Sequence, residues 1–127
     1  MTGFELSVQH LESGAVHVKL RGTLDLAYAY RFDDAMRRVE REAGDSMVLD
    51  LRDVEFLDST GIARLVALRR RARRAGRRLV LIRGPRAVQR LFTIVALDEH
   101  FDIVGDLAAA LTHLAPGPAP LPGVAAR

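Results

Sequence analysis

No cysteine and no tryptophan occur among the 127 residues, and aromatic residues make up only 6% of the chain. Without cysteine there are no disulfides and no thiolate zinc sites. The four histidines, His10, His17, His100 and His113, stand too far apart for the close pairings that metal motifs use. Apolar runs are short as well. None approaches the roughly 18 to 20 residues needed to cross a bilayer, and Met1 opens no signal-peptide pattern, so the chain is expected to be soluble, cytoplasmic and without a membrane partner. Catalytic signatures are missing too. There is no Gly-x-x-x-x-Gly-Lys-Ser/Thr phosphate loop, and no glycine lies two residues before Ser59 to make a Gly-x-Ser-x-Gly elbow. Asp50 or Asp53 could serve as a response-regulator acceptor only beside an acidic pair after a first parallel strand, and that pair is absent. Asp53 and Glu55 are expected to be exposed, and general acid-base work would need one carboxylate in an apolar pocket. The expectation is a binding module, with no enzyme activity, cofactor or metal of its own.

What the chain does have is core material. Hydrophobic residues are 49% of the total and charged residues 28%, enough for one domain and little more. The formal net charge of +3 conceals an uneven distribution. Seven arginines fall between Arg69 and Arg78, whereas Asp50, Asp53, Glu55 and Asp58 form an acidic stretch.

Residues 4–11 and 15–21 are apolar, partly alternating, and separated by Glu12-Ser13-Gly14, which predicts a hairpin. Phe32, Ala35, Met36, Val39 and Ala43 recur at helical spacing up to Gly44, predicting a helix over about 26–43 with a glycine C-cap. Met47 to Leu51 has the composition of a buried strand; a loop follows, and then a helix carrying Ile62, Leu65, Leu68, Ala72 and Ala75 to a stop at Gly76. Leu79 to Ile82 repeats the strand pattern, and Pro85 stands near the first turn of a helix carrying Ala87, Val88, Leu91, Phe92 and Val95. A short strand at Phe101 to Val104 and a helix over 107–114 complete the series. The fold class is therefore α/β: one domain over 1–114, with a mixed sheet of about five strands, antiparallel at first and then parallel, packed with about four helices. The tail 115–127, rich in Pro, Ala and Gly, is expected to be disordered.

The segment Asp58-Ser59-Thr60-Gly61 stands where that second long helix must begin. Ser, Thr and Asp are preferred N-caps, so one of them is accounted for by capping. No capping box is present, because the third helical position falls on Gly61 or Ile62. The second hydroxyl and the glycine remain unexplained. A helix N-terminus offers free amides and a positive dipole end, so a phosphate on Ser59 fits there, and Gly61 would let a partner's backbone come close.

Val48-Leu49-Asp50-Leu51, then Phe56-Leu57-Asp58-Ser59-Thr60-Gly61 and an apolar helix, together with Gly22-Thr23-Leu24-Asp25 after the second strand, resemble the STAS domain of bacterial anti-sigma factor antagonists. The resemblance spans about Phe4 to Leu114. It implies a partner switch: the unphosphorylated protein binds an anti-sigma factor that is also a serine kinase of the GHKL type and so releases a sigma factor, and phosphorylation reverses this. Ser59 matches the phosphoacceptor, with Thr60 as the second candidate, and Asp25 and Asp58 match the acidic positions beside it. ATP and magnesium would reside on the kinase, and the chain itself is expected to be a monomer or weak dimer. A second implied reading is a non-phosphorylated STAS accessory or scaffold subunit in lipid transport, a permease or a stress-sensing complex. The chain departs from the family's Gly-Leu-Gly at Gly61-Ile62-Ala63-Arg64, so an exposed Arg64 would alter partner choice. It also has Val95-Ala96-Leu97 where Thr-Gly-Leu is usual.

Tyr28 and Tyr30 are candidates for the same partner face, although one of them is equally suited to the core. The arginine run invites a nucleic-acid reading. Arg70, Arg71 and Arg74 lie opposite the apolar stripe of their helix, no aromatic platform is interleaved, and there is no helix-turn-helix punctuation. A solvated helix face is the expectation, with no direct nucleic-acid partner.

Overall fold

Side-chain alternation on strand β2 (Val16–Leu24) is nearly ideal. Val16, Val18, Leu20 and Leu24 are buried, while His17, Lys19 and Arg21 point the other way into polar surroundings. In the computed structural model, which describes residues 3–115, β2 pairs antiparallel with β1 (Phe4–His10) and parallel with β3 (Ser46–Leu57). The strands β4 (Arg78–Ile82) and β5 (Asp102–Val104) extend the sheet in sequence order, both parallel. The expected mixed five-stranded sheet with four helices is what is found.

Connections that step always in one direction place successive right-handed crossover helices on one face. Accordingly α1 (Ala29–Glu42), α2 (Ser59–Arg74) and α3 (Arg86–Ile94) contribute Phe32, Met36, Ile62, Leu65, Val88 and Phe92 to one large core with Val18, Leu20, Leu49 and Leu81. Among the described residues only α4 (Leu107–Leu114), after the last strand, reaches the opposite face, where Ala110 packs on Val48, Val80 and Ile82. Among the described residues no helix is long and apolar enough to cross a membrane.

Several boundaries differ from expectation. The predicted loop after Leu51 does not exist, because β3 continues to Leu57. Two register shifts against β2 keep Val54 and Leu57 directed inward while Arg52, Asp53 and Glu55 turn away from the core. β2 likewise runs on through Gly22, Thr23 and Leu24, so that motif begins inside the strand. Gly22 sits at one of these shifts with φ +91°, and an added Cβ would lie 1.9 Å from the Gly3 carbonyl oxygen. The first helix is preceded by a 3-10 turn over Leu26–Tyr28 and ends at Ala43 in extended conformation, so Gly44 is not its cap. Instead the Arg77 guanidinium donates to the Glu40 and Gly44 carbonyls at 3.0 and 3.1 Å. The expected glycine stop of α2 is present: Gly76 has φ +69°, with Arg77 N–H donating to the Ala72 carbonyl at 2.8 Å. Apart from Ala115, the tail lies outside the described residues.

Candidate functional site

Leu24 and Leu57 are register partners, so the chain leaves β2 and β3 side by side, and Asp25 and Asp58 are the next residue on each. Both acids cap. The Asp25 carboxylate accepts from Ala27 N–H at 3.0 Å and starts the 3-10 turn; that of Asp58 accepts from Gly61 N–H at 2.9 Å and starts α2. Because a carboxylate does the capping, neither hydroxyl after it is needed for that purpose. Ser59, the first residue of the helix, is exposed, and Thr60 is half-buried. The site is thus an exposed residue at a helix N-terminus directly after the capping carboxylate of Asp58, with Asp25 at the end of the neighbouring strand. Such an arrangement suits a hydroxyl that accepts a phosphoryl group from outside. Among the described residues no cluster of His, Cys, Asp or Glu could hold a metal ion.

Three of the expected partner-face residues make contacts within the chain. Gly61 is buried, and a Cβ there would meet the Leu24 carbonyl oxygen at 2.3 Å and a Leu57 methyl at 2.5 Å. The backbone it admits is the chain's own, and it seats α2 on the end of β2. Arg64 turns onto α1, its Nε 3.4 Å from the Asp33 carboxylate, and is half-buried. The ion pair links α2 to α1. Tyr28 stacks on Phe4 with ring centroids 6.1 Å apart, under the guanidinium of Arg31. Tyr28 is the packed member of the tyrosine pair, and Tyr30 is the exposed one, 82% accessible. The sequence reading missed Leu26 and Phe56, which are 73% and 53% exposed and lie next to Asp25 and two residues before Asp58. The signal was present in Phe56-Leu57, since of two consecutive apolar strand residues only one can face inward.

Much of the arginine run is structural. Arg71 donates to Glu40 at 2.7 Å, Arg77 caps α1, and Arg78 donates to the His113 and Leu114 carbonyls at the end of α4. Arg69 lies over the Phe101 ring. Arg70, Arg73 and Arg74 remain on the exposed face of α2.

A second polar centre lies on the α4 side of the sheet. Asp50 is fully buried in β3 and accepts from Arg52 N–H, Nε and Nη2 at 3.1, 3.0 and 2.7 Å and from His17 Nε2 at 2.9 Å. Burial pushes its pKa up. The hydrogen bonds from the Arg52 side chain and backbone and from His17, with the Arg52 charge, outweigh burial and hold it at about 2. The same carboxylate raises the pKa of Arg52. Its position within the sheet and its saturated partners leave Asp50 no room to act as a phosphoacceptor.

Residues 8–115 match the family model described as Mlab, STAS domain. The anti-sigma-F factor antagonist RsfB of Mycobacterium tuberculosis is 29% identical over 105 residues, covering 83% of this chain and 85% of that protein. An anti-sigma factor antagonist from Mycobacterium paratuberculosis superimposes with a TM-score of 0.78 at 24% identity, over 88% of this chain and 94% of that one. The anti-sigma factor antagonist SpoIIAA in its unphosphorylated form gives 0.70 at 15% identity, over 86% and 96%. At those identities the two structures establish the fold.

Proposed function

Since this chain belongs to the STAS domain family, we propose that it is an anti-sigma factor antagonist switched by phosphorylation at Ser59. The unphosphorylated form binds an anti-sigma factor that is also a serine kinase of the GHKL type, and a sigma factor is released; phosphate on Ser59 ends the capture. The chain brings no catalytic groups of its own, ATP and magnesium belong to the kinase, and Thr60 is the secondary acceptor. One observation carries the reading: Asp58 takes the cap of α2, so the exposed Ser59 hydroxyl is free for chemistry. The mycobacterial relatives, themselves anti-sigma factor antagonists, support it.

The charges explain how one phosphate ends binding. A phosphoserine brings about −1.5 to −2 charges to a position beside the Asp25 and Asp58 carboxylates. Two unit charges about 4 Å apart interact by about 4 kcal/mol at an effective dielectric near 20, and each 1.4 kcal/mol is about tenfold in affinity. The exposed Leu26, Tyr30 and Phe56 around these acids supply apolar contact for the unphosphorylated complex. Incubation with the kinase and ATP should add a single phosphate by mass, abolished in Ser59→Ala. Ser59→Ala should capture the kinase constitutively, and Ser59→Asp at least about tenfold more weakly. Equal capture by both variants, with no phosphate taken up, would reject the switch in favour of an accessory or scaffold subunit.

A further inference from the structure

The sheet has two edges, and they are unequal. β5 is three residues long, whereas β1 is seven residues long and exposed from Ser7 to His10. Natural edges are usually blunted by lysine, proline, a bulge or a covering element. The sequence FELSVQH has neither lysine nor proline, and its pairing with β2 runs without a register shift. The phase of the ladder fixes which groups are open. Thr23 N–H donates to the Gly3 carbonyl and Leu11 N–H to the Ala15 carbonyl, both at 2.9 Å, so the odd-numbered residues are bonded to β2. Antiparallel alternation then turns the N–H and C=O groups of Phe4, Leu6, Val8 and His10 toward the open edge.

Beside this edge runs a groove of about 660 Å3 between β1 and α1. Arg31 stands over the Phe4 ring at one end, and Glu42 lies 3.9 Å from His10 at the other, so α1 and β1 point the same way. We infer that β1 pairs antiparallel with β1 of a second copy of this chain about a two-fold axis at Ser7, continuing the sheet across the interface. In that register Leu6 meets Val8 of the second copy and Phe4 meets its His10, each pair exchanging the open main-chain bonds. Glu5 meets Gln9, and no like charges oppose each other. The two-fold also reverses one α1 relative to the other. It places Arg31 by the second copy's Glu42, and Ala35 by its Arg38, so the charges lining the groove are complementary to themselves.

Sedimentation velocity of the full chain over a concentration series tests the pairing. Wild type should move from monomer to dimer as concentration rises. Val8→Pro deletes an edge-facing N–H that β2 does not use, and should raise the dissociation constant at least about tenfold with the circular dichroism spectrum unchanged. Arg31→Glu should weaken the dimer, and adding Glu42→Arg should restore it. Because variants can perturb folding, amide exchange of the wild type gives an independent reading: the Leu6 and Val8 amides should slow as concentration rises. A chain that stays monomeric throughout, or a dimer in which these amides exchange at the same rate at all concentrations, overturns the inference. So does edge protection that appears only when another protein is added, which would assign β1 to a different occupant.

Discussion

At the start of α2 a carboxylate caps the helix and leaves a hydroxyl uncommitted, and this arrangement was half legible in the sequence. That a cap and a spare hydroxyl were both present followed from Asp58-Ser59-Thr60 alone, and the adjacency of Asp25 followed from the resemblance. The purpose of Gly61 did not, because the atom it makes room for is the Leu24 carbonyl oxygen, far away in sequence. Asp50 was equally opaque. In the sequence it is a charge inside an apolar strand, and only pairing of β2 with β3 brings His17 to it. Its energetic weight can be measured. The folded pKa of about 2 is below the ordinary 3.8, so its stabilisation is fully present above pH 3.8 and is lost as pH falls toward 2. Asp50→Asn should cost about 2 kcal/mol or more at neutral pH, and the gap from wild type should close between about pH 4 and pH 2. Urea unfolding at neutral and acid pH reads this directly. A gap that stays constant with pH would mean that Asp50 acts only through packing.

Elements were legible where their signal is local. Helical periodicity placed α1 to α3, and the last helix, expected over 107–114, matched residue for residue. The ends went wrong where distant partners decide them. β3 is prolonged by its pairing with β2, and α1 is closed by Arg77, 33 and 37 residues beyond the carbonyls it binds. The same dependence explains why Arg71, Arg77 and Arg78 serve as a helix tie and caps, while Arg70, Arg73 and Arg74 keep the solvated face expected of them. The departure at Val95-Ala96-Leu97 has a definite cost. Ala96 adopts φ +57°, and Leu97 N–H closes the turn on the Phe92 carbonyl at 2.9 Å, so alanine occupies the left-handed position that glycine usually fills. Left-handed geometry costs a non-glycine residue about 1 to 2 kcal/mol, part of which glycine returns as unfolded-chain entropy. Ala96→Gly should therefore stabilise the protein by about 1 kcal/mol and raise Tm by a few degrees in a calorimetric scan. A lower Tm would show that the alanine methyl packs usefully.

At the scale of the molecule, the proposed switch depends on how firmly α2 is seated. Gly61 holds its first turn against β2, and Ile62, Leu65 and Leu68 bury its inner face in the main core. Moving the helix start would open that core, whereas a phosphate on Ser59 meets solvent, free amides and the positive end of a 16-residue helix. Phosphorylation should therefore act by charge and bulk at an unmoved surface, and two observations follow. Amide chemical-shift changes on phosphorylation should stay near residues 25–30 and 56–64, with helix and strand boundaries unchanged. The affinity lost to the phosphate should also shrink as salt is raised, because exposed charges are screened over about 10 Å at 0.1 M and about 3 Å at 1 M. A steric block alone would be insensitive to salt, and a refolded α2 would spread shift changes through Leu65 and Leu68 into the sheet. Kinase binding by both forms across a salt series, alongside the spectra, separates the three. Only a salt-dependent loss with local shifts agrees with a fold that keeps its core fixed and changes its surface charge.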